Sequence, residues 1–162
     1  MIIGIISDSH EHLQNLEKAL NKLKEKNIDV LIHCGDFCAP FIISEHLAKF
    51  GKSVHCVYGN IDDRETTKKL ADEAENVTLY GDIAEIELDN NKIAVVHNPE
   101  KARTLAESDK FDVVFYGHTH KKDIKKIGNT LLVNPGEIMG KYGRPSFAIW
   151  DTKTDTIEIE VF

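Results

Sequence analysis

Apolar runs and amphipathic stretches alternate along the first half of the chain. Residues 2–7, IIGIIS, form a nearly continuous apolar run, which is typical of a strand buried on both faces. Residues 12–26 carry leucines at helical spacing, namely Leu13, Leu16, Leu20 and Leu23. The same rhythm predicts further strands at 29–33 and 53–58, and further helices at 41–50 and 64–74. The first half is therefore predicted to follow a β-α-β-α-β order.

The second half of the chain is richer in predicted strands. The runs IAEIELD, KIAVVH and DVVFY are predicted strands, and a helix at 99–108 is predicted between the second and the third. DIKKIGNTLLVN predicts a hairpin around Gly128-Asn129, and the tail SFAIWDTKTDTIEIEVF predicts another around 152–155. Together the halves indicate an α/β architecture built on a pair of mixed sheets rather than on one doubly wound sheet.

Length and composition limit the class of protein. A chain of 162 residues has the size of one domain, so we expect a single domain over 1–162. The net charge of −7 repels nucleic-acid backbones, so no stable nucleic-acid partner is expected. No apolar run is long enough to cross a membrane, and the opening MIIGIISDSH lacks the basic start of a signal peptide.

The cysteines indicate the compartment. Cys34, Cys38 and Cys56 are odd in number and contain no CxxC pair, so we interpret them as small buried apolar residues in a reducing environment. A cytoplasmic location is therefore expected. The oligomeric state, including a homo-oligomer, stays open.

Side chains of the metal-ligand type stand at the ends of five predicted strands. In chain order they are Asp8, His10, Asp36, Asn60, His97, His118 and His120. Ligands of α/β sheets bind at the carboxyl ends of the strands, so these side chains are expected to converge on one rim. Glycines at positions 35, 59 and 117 are expected to let the backbone turn sharply, so that the side chain after each faces inward.

Seven convergent groups are more than one first-row ion takes. Two ions that share a bridging carboxylate would use them all, as in two-metal hydrolytic sites. With two aspartates among the ligands, such a centre keeps a positive charge suited to phosphate. The mixture of nitrogen and oxygen donors favours Mn or Ni, with Fe, Co or Zn as alternatives, over Mg or Ca, which prefer all-oxygen sites.

The ordered series resembles the motifs of the calcineurin-like metallophosphoesterases. It consists of Asp8-x-His10, Gly35-Asp36, Gly59-Asn60, His97 and Gly117-His118-Thr119-His120, and NPGE at 134–137 resembles the Asn-Pro-Gly turn of that family. Any one dipeptide is weak evidence, whereas the whole series in order is specific. The short chain is similar to the smallest branch of the family, the YfcE-like phosphodiesterases.

The resemblance implies a four-layer α/β/β/α sandwich and a division of the ligands between two ions. One ion would be held by Asp8, His10, Asp36 and His120, and the other by Asp36, Asn60, His97 and His118. Asp36 would bridge the two ions, and a metal hydroxide would attack the phosphorus of a small phosphate ester. The candidate catalytic residues are accordingly Asp36, Asn60 and His97.

One departure from the family pattern affects the expected substrate. Larger members place a histidine directly after the metal-binding asparagine as a proposed general acid, and this chain has Ile61 there. General-acid help is worth ~10²–10⁴-fold, so its loss predicts modest turnover and a preference for good leaving groups. Position 98, where the family usually has glycine, is Asn98.

Several other polar residues are expected to have structural rather than catalytic roles. Asp62, Asp63 and Arg64 stand at the start of the helix predicted at 64–74, where capping and helix-dipole interactions are expected. The remaining histidines belong to no motif and are expected to be surface or core polar residues; they are His12, His33, His46 and His55.

Three functions remain open at this level. The first is a metal-dependent phosphodiesterase, and the second is a phosphomonoesterase with the same centre. The third is a binding scaffold, because the family includes a retromer subunit that uses this fold to bind proteins and has lost some ligand identities. This chain keeps every ligand type, which favours an enzyme.

Overall fold

The computed structural model describes residues 1–162 and contains two mixed β-sheets. The strands are β1 (Ile2–Ile6), β2 (Val30–His33), β3 (Ser53–Cys56), β4 (Val77–Leu79), β5 (Ile83–Leu88), β6 (Asn91–Val96), β7 (Val113–Phe115), β8 (Asp123–Ile127), β9 (Thr130–Asn134), β10 (Ser146–Asp151) and β11 (Thr156–Val161). The first sheet has the order β11-β10-β1-β2-β3-β4, and the second has the order β5-β6-β7-β9-β8. The α-helices are α1 (Leu13–Glu25), α2 (Arg64–Asp72) and α3 (Pro99–Glu107).

Three apolar clusters separate four layers. One lies between the first sheet and α1, and the second lies between the two sheets. The third lies between the second sheet and α3. Strand alternation produces this division: in β1, Ile3 and Ile5 face the second sheet, whereas Ile6 faces the helices. The predicted four-layer α/β/β/α sandwich is confirmed.

Parallel pairing brings the functional strand ends together. β1, β2 and β3 are parallel neighbours, and so are β6 and β7 in the other sheet. The two sheets meet at these ends, because the backbone N–H of His118, after β7, donates to the Asp8 carboxylate, after β1, at 3.1 Å.

The helix predicted at 41–50 is different in the structure. The segment forms a π-helical turn, Ile42–Leu47, followed by a 3₁₀ turn, Ala48–Phe50. The N–H of Ala48 donates to the carbonyl of Ile43, five residues earlier. Ile42 and Leu47 are both buried, and a five-residue spacing suits a π-helical turn better than an α-helix. β4, which is three residues long, was not among the strands predicted from the sequence.

No helix in the structure has the length and apolar character needed to cross a lipid bilayer.

Candidate metal centre

The structure brings the seven side chains of the strand-end series together in two groups. The first group is Asp8, His10 and His120, and the second contains Asp36, His97 and His118. Within each group the potential ligand atoms lie within 4.8 Å of one another. The predicted convergence of these side chains therefore exists in the fold, while their role as metal ligands stays a prediction.

Asn60 completes the second group. Its side-chain oxygen lies 2.8 Å from Nδ1 of His118 and 3.1 Å from Nε2 of His97. Nδ1 of His97 lies 2.8 Å from the carbonyl oxygen of Cys34, to which it donates. This hydrogen bond holds the ring so that Nε2 presents its lone pair to the centre, as a neutral histidine ligand requires.

Asp36 lies between the two groups. Its Oδ2 is 3.1 Å from Nε2 of His97 in the second group and 3.6 Å from Nε2 of His10 in the first. Its Oδ1 accepts a hydrogen bond from the N–H of Ile61 at 3.2 Å, which fixes the carboxylate. Asp36 is therefore the carboxylate best placed to serve both groups.

The backbone that carries these side chains is unusual. Five of the seven have φ in the left-handed region, which residues other than glycine seldom adopt; they are Asp8, His10, Asp36, His118 and His120. Such conformations cost about 1–3 kcal/mol each and concentrate at functional sites. The strand-end loops are held in these conformations by contacts with one another.

Two of the three glycines act differently from the sequence expectation. Gly35 does turn the chain, with φ of 95°. Gly59 and Gly117 instead allow close approach, because a Cβ at Gly59 would overlap the Asp36 carboxylate and one at Gly117 would overlap Ser7. A side chain at either position would push apart the loops that form the centre.

The charges of the centre perturb its histidines. The Asp8 carboxylate, 3.8 Å away, raises the pKa of His10, and burial only partly opposes this. For His97, burial lowers the pKa, but the hydrogen bond with Asp36 and the charge of Asp8 outweigh it, so the pKa is raised. Burial works to raise the pKa of Asp36, yet His97 and the Ile61 N–H lower it. The carboxylates of the centre therefore favour positive charge at these histidines.

Glu137 is a member of the centre that sequence reasoning missed. Its carboxylate is buried, and Oε2 accepts a hydrogen bond from Nδ1 of His120 at 2.8 Å. Oε1 accepts from the N–H groups of Tyr142 and Gly143 at 2.6 and 2.8 Å. Glu137 thus orients His120, whose Nε2 lies 3.4 Å from Asp8. The available signal was the acidic residue that ends NPGE.

Asp62 has a different role from the one expected. Asp63, not Asp62, caps α2, since its side chain accepts from the N–H of Thr66. The Asp62 carboxylate accepts from the N–H groups of Asp36 and Gly59 at 3.0 and 2.7 Å, and from Cys38 at 2.9 Å. It ties the loop after β2 to the loop after β3. Burial raises the pKa of Asp62, although these N–H groups oppose the effect.

His33 joins two other loops of the centre. Its Nδ1 accepts from the N–H of Gly35 at 3.1 Å, so Nε2 carries the proton and donates to Ser9 Oγ at 3.2 Å. Burial lowers the pKa of His33 to about 3. Protonation of His33 at Nδ1 would direct a second ring N–H at the N–H of Gly35, so the folded state favours the neutral ring.

This preference predicts a pH dependence of stability. Unfolded His33 binds a proton below its ordinary pKa of 6.5, but the folded ring stays neutral until about 3. The free energy of unfolding of metal-free protein should therefore fall as pH drops below 6.5, with a contribution from His33 that steepens to about 1.4 kcal/mol per pH unit toward pH 5. Urea unfolding between about pH 5 and 6.5 measures this above the carboxylate range.

The matched variant is His33→Gln. The raised pKa values of His10 and His97 give a slope of the opposite sign near pH 6.5, and this slope is common to wild type and variant. Burial also lowers the pKa of His55, so the difference in slope between wild type and variant is the quantity to compare. Parallel slopes would contradict the assignment to His33.

Comparison with known proteins agrees with the motif series. Residues 1–155 match the sequence profile of the calcineurin-like phosphoesterase superfamily domain. The chain belongs to this superfamily. Phosphodiesterase MJ0936 of Methanocaldococcus jannaschii is 34% identical to it over 157 residues, which cover 94% of each protein. A probable metallophosphoesterase of Methanothermobacter thermautotrophicus is 26% identical over 145 residues, covering 84% of this chain and 76% of the relative.

Solved structures support the same assignment. An archaeal phosphodiesterase superposes with a TM-score of 0.91 at 34% identity, over the full length of both chains. Yfce, a phosphoesterase from E. coli, gives 0.72 at 18% identity and covers 99% of each chain. A mutant of Vps29 from Entamoeba histolytica gives 0.72 at 21% identity, covering 100% of this chain and 99% of that one. The last two likenesses show the fold alone. The predicted resemblance is confirmed, and this metallophosphoesterase is a hydrolase by family.

Metallophosphoesterases use divalent metal ions, and the centre fits them. Nε2 of His10 is buried and has no hydrogen-bond partner, although it faces the carboxylates of Asp8 and Asp36. A buried polar atom without a partner is costly, and a cation between these three side chains would satisfy it. The donors are imidazole nitrogens and carboxylate or amide oxygens, which suit transition-metal ions.

Proposed function

We propose that this protein is a phosphodiesterase that uses two divalent transition-metal ions to cleave small phosphate diesters. The observation that carries the proposal is the position of Asp36, within 3.1 Å of His97 in one ligand group and 3.6 Å of His10 in the other. Mn and Ni suit the donor set best, with Fe, Co or Zn as alternatives. When bound, the ions would neutralise phosphate charge and lower the pKa of a water, which supplies the nucleophile near neutral pH.

The proposed ligands divide into two sets, one for each metal ion. Asp8, His10, Asp36 and His120 would hold one ion, and Asp36, Asn60, His97 and His118 the other. Asp8, Asp36 and His97 form the buried floor of the centre, whereas Asn60 and His118 are exposed. The phosphate would therefore approach from the side of Asn60 and His118, with Asp36, Asn60 and His97 nearest the reacting atoms.

Position 61 supports a substrate with a good leaving group, and Glu137 supports a diester. Ile61 is 45% exposed beside Asn60, so the place where larger relatives have a proton donor holds an apolar side chain. An alkoxide leaving group needs a proton, whereas an aryl oxide departs without one. Glu137 adds a third carboxylate to the two that the sequence predicts, which makes the centre less attractive to a monoester dianion.

The first functional experiment compares two activated aryl esters. With Mn²⁺ or Ni²⁺ added, we expect bis(p-nitrophenyl) phosphate to be cleaved with a higher kcat/KM than p-nitrophenyl phosphate. The third carboxylate of the centre, Glu137, repels the dianionic monoester more strongly than the monoanionic diester. The measurement is kcat/KM for both esters at several metal concentrations.

The variant Ile61→His tests the explanation. Installing a proton donor should speed diesters with poorer leaving groups, up to ~10²-fold, and should narrow the difference in kcat/KM between alkyl and p-nitrophenyl leaving groups. A clear wild-type preference for the monoester would replace the diesterase proposal with a phosphomonoesterase using the same centre. Metal binding without turnover of either ester would favour a non-catalytic binding protein.

A further inference from the structure

A polar cleft opens beside the second ligand group. Its volume is about 220 Å³, enough for about seven water molecules, so it accommodates a small substituent. Its lining includes Asn60, His97 and His118 of the second ligand group, together with Arg64, Asp82 and Lys101. A diester held at the metal centre would extend one of its two arms into this cleft.

The two basic residues of the cleft, Arg64 and Lys101, each lie four positions after a candidate metal ligand in the sequence. Arg64 is the first residue of α2, four positions after Asn60. Lys101 lies in the first turn of α3, and its N–H donates to the side chain of Asn98 at 3.0 Å. Asn98 is the residue directly after His97. A cation in the first turn is disfavoured by the helix dipole, so neither residue stabilises its helix through the dipole.

The charges of the cleft do not cancel. The guanidinium of Arg64 pairs with Asp82 and lies 4.7 Å from the centre of the Tyr58 ring. Lys101 takes part in none of the ion pairs formed by the lysines of this structure, which join Lys22, Lys26, Lys68 and Lys125 to carboxylates. One uncompensated positive charge therefore lines a cleft of a protein whose net charge is −7.

We propose that this cleft is a substrate subsite for an anionic ester arm, such as a carboxylate or a second phosphate, and that Lys101 is its main contact. The proposal rests on the phosphodiesterase function and specifies the substrate class of the same centre. A negatively charged arm is attracted electrostatically by Lys101, whereas a neutral arm of equal length makes only van der Waals contacts with the cleft. Arg64 is available as a second contact if the arm competes with Asp82.

The test compares p-nitrophenyl diesters that share a leaving group and differ only in the second arm. The arms are propyl, 2-carboxyethyl, 2-phosphonoethyl and 2-(trimethylammonio)ethyl. We expect the better of the two anionic arms to exceed propyl in kcat/KM by about fivefold, and the cationic arm to fall below propyl. The more favoured anionic arm identifies the group that the subsite takes. The preference should weaken at high salt, since the cleft is open to solvent.

Lys101→Met should reduce the ratio of kcat/KM for the anionic ester to kcat/KM for the propyl ester to about one. Lys110→Met is the matched control, because it removes the same charge beyond the other end of α3. A wild-type ratio near one, or a ratio that Lys101→Met leaves unchanged, overturns the subsite.

A binding measurement tests the subsite independently of the phosphodiesterase function. If no diester is cleaved, the phosphodiesterase function fails, but the subsite is still tested by calorimetry on Ni²⁺-loaded protein. 2-Carboxyethylphosphonate should then bind about fivefold more tightly than propylphosphonate, and Lys101→Met should abolish the difference. Equal affinities for the two phosphonates would overturn the subsite without reference to turnover.

Discussion

Asp36→Ala should remove both metal ions and nearly all activity. Asp36 is the one carboxylate placed between both ligand groups, so its loss leaves each group a ligand short and removes negative charge from the centre. Metal catalysis supplies several kcal/mol, so the expected loss in kcat/KM is on the order of 10³-fold or more. Elemental analysis should find about two ions per wild-type chain after saturation and close to none in the variant.

Two controls accompany this result. His12→Ala alters an exposed histidine whose Nδ1 accepts from the N–H of Asn15 at the start of α1, so its metal content should stay at the wild-type level. Thermal unfolding in a chelator should show that Asp36→Ala still folds. If the wild type holds one ion or none, the two-ion proposal is wrong. If both variants are equally mild, the role of Asp36 is wrong.

Glu137→Gln should weaken the first ligand group while the second keeps its affinity. Glu137 accepts from Nδ1 of His120, which leaves Nε2 free to present a lone pair beside Asp8. A glutamine amide that donates to Nδ1 would move the proton to Nε2 and take this lone pair away. Losing such a supporting carboxylate typically costs 10–100-fold in metal affinity, and we expect a loss of about that size at one of the two sites.

Calorimetric titration with Mn²⁺ or Ni²⁺ measures this effect directly. Wild type should give two sites of strong affinity, and Glu137→Gln should give one strong site and one weak site. Glu85→Gln is the matched control, because it makes the same change on the exposed face of β5. Equal weakening of both sites would mean that Glu137 supports the fold of the centre as a whole and not His120.

Much of the arrangement follows from the sequence alone. Buried parallel strands produce continuous apolar runs, and each run that ends in a polar residue marks a strand end at the sheet edge. The series from Asp8 to His120 therefore predicted which side chains converge, and its motifs predicted the family. The apolar runs and the motifs at their ends each occupy a short segment, so they can be recognised in a single sequence.

The contacts between loops were decided only by the tertiary structure. Glu137 is seventeen residues from His120, and Asp62 is twenty-six from Asp36, so no local pattern relates the members of either pair. The π-helical turn at Ile42–Leu47 likewise depends on which side chains the first sheet can bury. The sequence by itself determined the donor atoms of the centre. The folded chain determined what orients them and which cleft lies beside them, because packing between distant segments fixes both.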